Sequence, residues 1–143
     1  MTTAPAARTV LIMEDDIDLA SQWADAFRAN GYDVTLCVTS GEALQHLDEQ
    51  PVDVAVIDMF IRQPAGGLSG QGGLNVISRL RMRTAERIDP ARTRIIAVSG
   101  VARNEYLDVL AEARGIGADE ALQKPVSVVE LVATANRLLD QLR

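Results

Sequence analysis

The sequence of 143 residues holds one Cys (Cys37), one His (His46) and one Lys (Lys124). A single Cys excludes an internal disulfide and any Cys-based zinc cluster. A single His excludes a multi-His metal site, and any Ser-His-Asp triad would have to run through His46. Aromatic residues make up only 3% of the chain, so a core must be built from Val, Ile, Leu and Ala. No apolar run exceeds five residues, whereas a membrane-spanning helix needs about 20. Residues 1–8, MTTAPAAR, lack the hydrophobic segment of a secretory signal and read as a flexible N-terminal tail on a cytoplasmic protein.

What is present is acidic. Twenty Asp and Glu against fourteen basic residues, thirteen of them Arg, leave a net charge of −6. That balance argues against general binding to nucleic acid or to an anionic membrane. The length suits a single domain over 9–143, able to bury roughly 70% of the surface of its unfolded chain.

Strand and helix signals alternate along it. Thr9 to Met13 is a short apolar run of the kind found in a strand buried on both faces. Leu19, Ala20, Trp23 and Phe27 then share a helical face, with Gly31 as a C-cap. Tyr32 to Val38 is strand-like, and Thr39 with Glu42 forms a capping box for a helix carrying Ala43, Leu44 and Leu47. Val52 to Ile57 is a third strand ending at Asp58, followed by a Gly-rich loop over 62–73 and a helix marked by Leu74, Ile77 and Leu80. Arg94 to Val98 is a fourth strand running into Ser99, and Leu107, Leu110 and Ala111 mark the helix after it. Glu120 to Gln123 is a weaker fifth strand, and Ser127 with Glu130 opens the last helix, with Val128, Leu131, Val132, Ala135, Leu138, Leu139 and Leu142 at helical spacing. Five strand–helix units imply an α/β fold with a parallel sheet between two helical layers and right-handed crossovers.

In such sheets, ligands gather outside the carboxyl ends of the strands. Those ends carry Glu14 and Asp15, Asp58, Ser99 and Lys124. Three crowded carboxylates raise a pKa until a proton or cation enters, and hard oxygen donors suit Mg²⁺. The ammonium of Lys124 makes sense if a dianionic phosphoryl group joins the site, and an Asp carboxylate is a competent phosphoryl acceptor. Taken singly, each element has a plainer use: Glu14 to Asp16 as helix caps, Asp58 as a turn residue, Ser99-Gly100 and Lys124-Pro125 as ordinary strand exits. Their joint placement at four strand ends is what points to Mg²⁺-assisted phosphoryl transfer.

The motifs LIMEDD (Leu11 to Asp16), VAVIDM (Val54 to Met59), IIAVSG (Ile95 to Gly100), LQKP (Leu122 to Pro125) and the pair Gly73-Leu74 resemble the receiver domain of two-component response regulators. The resemblance covers residues 9 to 142. It implies a (βα)5 doubly wound, five-stranded parallel sheet of the flavodoxin-like receiver fold, strand order 2-1-3-4-5. By the same resemblance Asp58 is the phosphoacceptor and a metal ligand, Asp15 ligates Mg²⁺ directly, Glu14 acts through water, and the Phe60 backbone carbonyl is a further ligand. Ser99 is the switch hydroxyl, and Lys124 pairs with the phosphoryl group ahead of a cis peptide at Pro125. The implied partners are a sensor histidine kinase or histidine phosphotransfer protein, which supplies the phosphoryl group, and a downstream protein target the sequence does not name. Because the last helix ends the chain, the expectation is a stand-alone receiver without direct DNA binding or membrane attachment. It would not be an enzyme beyond its own phosphorylation and dephosphorylation.

Departures from the family pattern are specific. Ala121 stands three before Lys124, where the family usually carries an aromatic switch residue; Tyr106 is the candidate substitute, although its spacing reads as a helix surface or edge position. Arg62 replaces the usual Pro four residues after the acceptor, and the long 62–73 loop holds five Gly. That loop is read either as a mobile segment with no specific role or as one that lies beside the site and gates access or contacts the kinase. Arg79, Arg81, Arg83, Arg87, Arg92 and Arg94 read as a solvated surface, His46 as a surface residue and Cys37 as core. Two other functions compete with the receiver. An aspartyl-phosphate hydrolase of the haloacid-dehalogenase type needs a second Asp where Phe60 stands. A phosphorylation-independent interaction module would have no use for the intact set Glu14, Asp15, Asp58, Ser99 and Lys124.

Overall fold

In the computed structural model, the first strand, β1 (Arg8–Met13), alternates its side chains between two separate cores. The structure describes residues 7–59, 61–62, 68–69, 71–82, 93–100 and 109–141. Val10 and Ile12 face one core, with Trp23, Phe27, Val54, Val56, Ile96, Val98, Leu131 and Leu138. Leu11 and Met13 face the other, with Leu47, Ile57, Ile77, Leu80 and Ile95. This is the period-2 alternation of a strand sandwiched between helical layers.

The remaining elements follow in chain order: α1 (Ile17–Ala29), β2 (Tyr32–Cys37), α2 (Ser40–Glu49), β3 (Val54–Asp58), β4 (Ile61–Arg62), β5 (Leu68–Ser69), α3 (Gln71–Met82), β6 (Arg94–Ser99), α4 (Val109–Ile116), β7 (Glu120–Gln123) and α5 (Val128–Asp140). The main sheet runs β2-β1-β3-β6-β7 with every pairing parallel. Counting only its five strands, the order is 2-1-3-4-5, as the resemblance implies. The chain leaves β1 toward β2 on one side and returns to β3 on the other. The crevice between the carboxyl ends of β1 and β3 is therefore the topological switch point. Among the described residues no helix is long and apolar enough to cross a membrane.

The helix starts obey local chemistry. Asp16 caps α1 by accepting from the Leu19 amide at 3.1 Å. Thr39 and Ser127 cap α2 and α5 by accepting from the amides of Glu42 (3.1 Å) and Glu130 (3.0 Å). After α1, Gly31 turns the chain with φ +86, a conformation that costs other residues about 1–2 kcal/mol. The weakness of the fifth strand in the sequence has a structural cause. β7 lies at the sheet edge and is only partly buried, whereas β3 is buried at every position.

Several expectations need correction. β1 begins at Arg8, one residue inside the expected tail, because its guanidinium is held by Asp140 (2.7 Å) and Asn136 (3.2 Å) of α5. The 62–73 stretch is not one irregular loop. Ile61–Arg62 pairs antiparallel with Leu68–Ser69, and α3 already begins at Gln71. A glycine inside that first turn serves close approach rather than freedom: a Cβ on Gly73 would lie 2.9 Å from Met59 Cα and 3.1 Å from the Asp58 carbonyl oxygen. Among the described side chains of α4 the buried one is Ala113, while Ala111 is exposed. His46 is half-buried, with Nε2 3.4 Å from Thr35 Oγ1. Cys37 is core, as the sequence indicates, and burial followed by the Glu42 charge pushes its thiol up to about 11, which favours the protonated form. Tyr106, Leu107 and Leu142 lie outside the described residues.

The Arg cluster divides. Arg83, Arg87 and Arg92 lie outside the described residues. Arg79 fits the solvated reading, 56% exposed and 3.8 Å from Asp48. Arg81 does not. It donates to the Gly117 carbonyl (2.9 Å), the Thr93 carbonyl (3.1 Å) and Asp119 Oδ2 (2.8 Å), tying α3 to the starts of β6 and β7. Asp119 Oδ2 also accepts from the Ile95 amide at 2.8 Å, and Arg94 lies 3.7 Å from Oδ1. Gly117 takes φ +127, and a side chain there would collide with Arg81. Because its bonds are charge-assisted and half-buried, Arg81→Ala should cost about 2 kcal/mol. Arg79→Ala should cost less than about 0.5 kcal/mol. Urea midpoints of the two variants check the contrast, and equal midpoints would contradict it.

Candidate functional site: a carboxylate cluster with one ammonium

The backbone at the switch point is firmly held. Glu14, just past β1, donates its amide to the Cys37 carbonyl (3.0 Å). Asp58 is the last residue of β3, and the next amide, Met59, continues the ladder to the Val98 carbonyl (2.9 Å). Ser99 ends β6 and is completely buried, and its carbonyl accepts from the Lys124 amide (2.8 Å) just past β7. The Lys124–Pro125 peptide is cis.

The side chains close on one point. Lys124 Nζ donates to both Glu14 oxygens at 3.0 Å and to Asp58 Oδ2 at 3.3 Å. Glu14 and Asp58 are each only 2% exposed. Carboxylate oxygens of Glu14, Asp15 and Asp58 lie within 4.8 Å of one another. Three hard oxygen donors at this spacing, one of them half-buried and open to solvent, fit a small divalent cation such as Mg²⁺. Of the residues singled out from the sequence, the structure brings together Glu14, Asp15, Asp58 and Lys124 and places Ser99 at the adjoining strand end. Phe60 lies outside the described residues. Ala121 is half-buried and packs against the core under α2, α3 and α4.

One participant was not legible as such. Trp23 fits its sequence assignment to the apolar face of α1 and is 1% exposed. Its ring also lies beneath the site, 5.6 Å from Lys124 Nζ to the ring centroid. The available signal was its rarity, as the only Trp in an aromatic-poor chain.

The electrostatics are those of crowded acids with one counter-charge. Burial first, and then the neighbouring Asp58 carboxylate, push Glu14 up from 4.5 to about 8, with Lys124 opposing the shift. Burial pulls the Lys124 ammonium down, but the Asp58 and Glu14 carboxylates outweigh it and the net direction is upward.

A model of the family described as the response regulator receiver domain matches residues 10–136. The chain belongs to that family. This receiver domain is 28% identical over 131 residues to the sensory transduction protein RegX3 of Mycobacterium tuberculosis, covering 92% of this chain and 50% of RegX3. It thus spans about half the length of the curated relatives it matches. Its fold matches the Francisella response regulator 1452 receiver domain with a TM-score of 0.74, at 27% identity over 95% of this chain and 99% of that one. A CheY-like receiver domain from Methanospirillum hungatei matches with a TM-score of 0.76, at 22% identity over 94% and 95% of the two chains.

The Glu14 shift has a defined pH consequence for this receiver domain. The carboxyl binds its proton more tightly folded (about 8) than at its ordinary 4.5. Its favourable contribution is therefore complete below about pH 4.5 and is lost as pH rises through about 8. Denaturation in EDTA should show stability falling across that window, with a flatter slope for Glu14→Gln. Identical slopes in the two proteins would contradict the assignment.

Proposed function

We propose that this receiver domain is a phosphoacceptor of a two-component phosphorelay, with Asp58 as the acceptor. The observation that carries the reading is the convergence of Glu14, Asp58 and Lys124 in direct contact at the switch point. Glu14, Asp15 and Asp58 would hold a Mg²⁺ ion, with the Phe60 carbonyl as a proposed additional ligand. When bound, that ion neutralises negative charge on the incoming phosphoryl oxygens.

The chain's own groups do the rest. An Asp58 carboxylate oxygen forms the new O–P bond while the P–N bond to a phosphohistidine breaks, and the electron pair of that bond returns to the imidazole. Lys124, already 3.3 Å from Asp58, supplies a positive charge for the added phosphoryl oxygens. Its compact ammonium reaches into a nearly closed pocket where a planar guanidinium would not fit the same partners. The Ser99 hydroxyl, at the end of β6, is the proposed second partner of the phosphoryl group, coupling its arrival to the loop that follows β6.

The donor is proposed to be a sensor histidine kinase or a histidine phosphotransfer protein, and the output a phosphorylation-dependent contact with another protein. The same reading places the domain in the cytoplasm and assigns it no reaction beyond gain and loss of its own phosphoryl group.

Intact mass after incubation with Mg²⁺ and acetyl phosphate tests this. One phosphoryl adduct is expected, absent in Asp58→Asn and strongly reduced in Lys124→Arg although the net charge is unchanged. An adduct that persists in Asp58→Asn, or none in the parent protein with either acetyl phosphate or phosphorylated histidine donors, would overturn the assignment.

A further inference from the structure

Trp23 sits where a purely packing residue need not be aromatic. It lies on α1, completely buried, inside the core that also holds Leu122, Val126 and Val128 around the β7–α5 turn. The Lys124 ammonium lies over its ring, 5.6 Å from the centroid, within the roughly 6 Å at which the ring's negative face attracts a cation. The Lys124 side chain is 20% exposed, so the attraction acts in a partly desolvated setting, where it is strongest. The indole Nε1 is buried without a hydrogen-bond partner among the described residues, so no hydrogen bond accounts for an indole at this position.

We infer that Trp23 is a positioning residue for Lys124, its ring face holding the ammonium over the Asp58 pocket so that it meets an incoming phosphoryl group without first being ordered. Lys is a flexible four-carbon stem, and its partners on the carboxylate side change identity when a cation or phosphoryl group arrives. The three hydrogen bonds to Glu14 and Asp58 are open to competition in that state, because the same carboxylates are the groups that would hold a metal and receive a phosphoryl group. Of the contacts made by the Lys124 ammonium among the described residues, the Trp23 face is the one that neither a metal nor a phosphoryl group competes for. Fixing the ammonium in advance removes an ordering cost from the transfer step. The inference rests on the phosphoacceptor reading for its functional consequence, but the contact itself does not.

The test has two arms. In the first, the emission of the single tryptophan is compared between the parent protein and Lys124→Met, without phosphodonor. A change in intensity or wavelength is expected because the cation leaves the ring; an unchanged spectrum overturns the contact whatever the protein's function. In the second, Asp58 phosphorylation by acetyl phosphate at saturating Mg²⁺ is timed by intact mass for Trp23→Leu and Trp23→Phe, with melting temperatures measured alongside. Trp23→Leu should slow the reaction roughly threefold to tenfold, while Trp23→Phe, which keeps a ring face, should recover most of the rate at a similar melting temperature. Equal rates in the Leu and Phe variants would reduce Trp23 to packing and overturn the inference. A parent protein that takes no phosphoryl group, with the emission arm positive, would overturn the functional reading and Trp23's role in transfer while leaving the contact intact.

Discussion

Parallel pairing in one sheet is the constraint from which the site follows. When every strand runs the same way, with right-handed crossovers between them, all the carboxyl ends emerge along one edge of the sheet. Glu14, Asp58, Ser99 and Lys124 are far apart in the chain, yet each is the last residue of a strand or the one after it. Lys124 and Glu14 meet across 110 positions of sequence. The cost of the arrangement is electrostatic, since it buries two carboxylates almost completely beside a third. One ammonium offsets part of that repulsion, and the high proton affinity of Glu14 registers what is left. A pocket in this condition is prepared for a cation.

The two edges of the sheet have been given opposite characters. At the amino-terminal edge, Arg81 and Asp119 lock α3, β6 and β7 with a closed set of charge-assisted bonds, and Arg8 ties β1 to α5. Among the described residues each of these carboxylates, Asp119 and Asp140, meets an arginine. At the carboxyl edge the charges are unbalanced in favour of acid. A held frame on one side and a crowded acidic pocket on the other are the contrast on which the proposed phosphoacceptor role rests.

Much of this was legible in linear sequence. The apolar runs ending at Met13, Asp58 and Ser99 are strands, because a strand buried on both faces needs a continuous apolar run. The caps at Thr39 and Ser127 were readable because a capping oxygen and its amide are three residues apart. The acidic and basic strand ends were readable once the rule about carboxyl edges was applied. The Gly-rich stretch misled for a physical reason. Glycine marks both freedom and close approach, and at Gly73 it is the nearness of Asp58 and Met59, distant in sequence, that demands it. The Arg cluster misled likewise, for Arg79 and Arg81 are alike in the sequence and differ only in what α3 packs against.

By itself, then, the sequence determined the alternation of elements, the family and which residue types stand at the strand ends, because those are properties of local pattern and short motifs. Tertiary structure alone decided that Lys124 pairs with Glu14 as closely as with Asp58, that Arg81 is a half-buried clamp, and that Trp23 lies under the ammonium. Each of these depends on which helix face or strand end comes to rest against which, and that is set by sheet order and packing across the cores, where residues remote in the chain first meet.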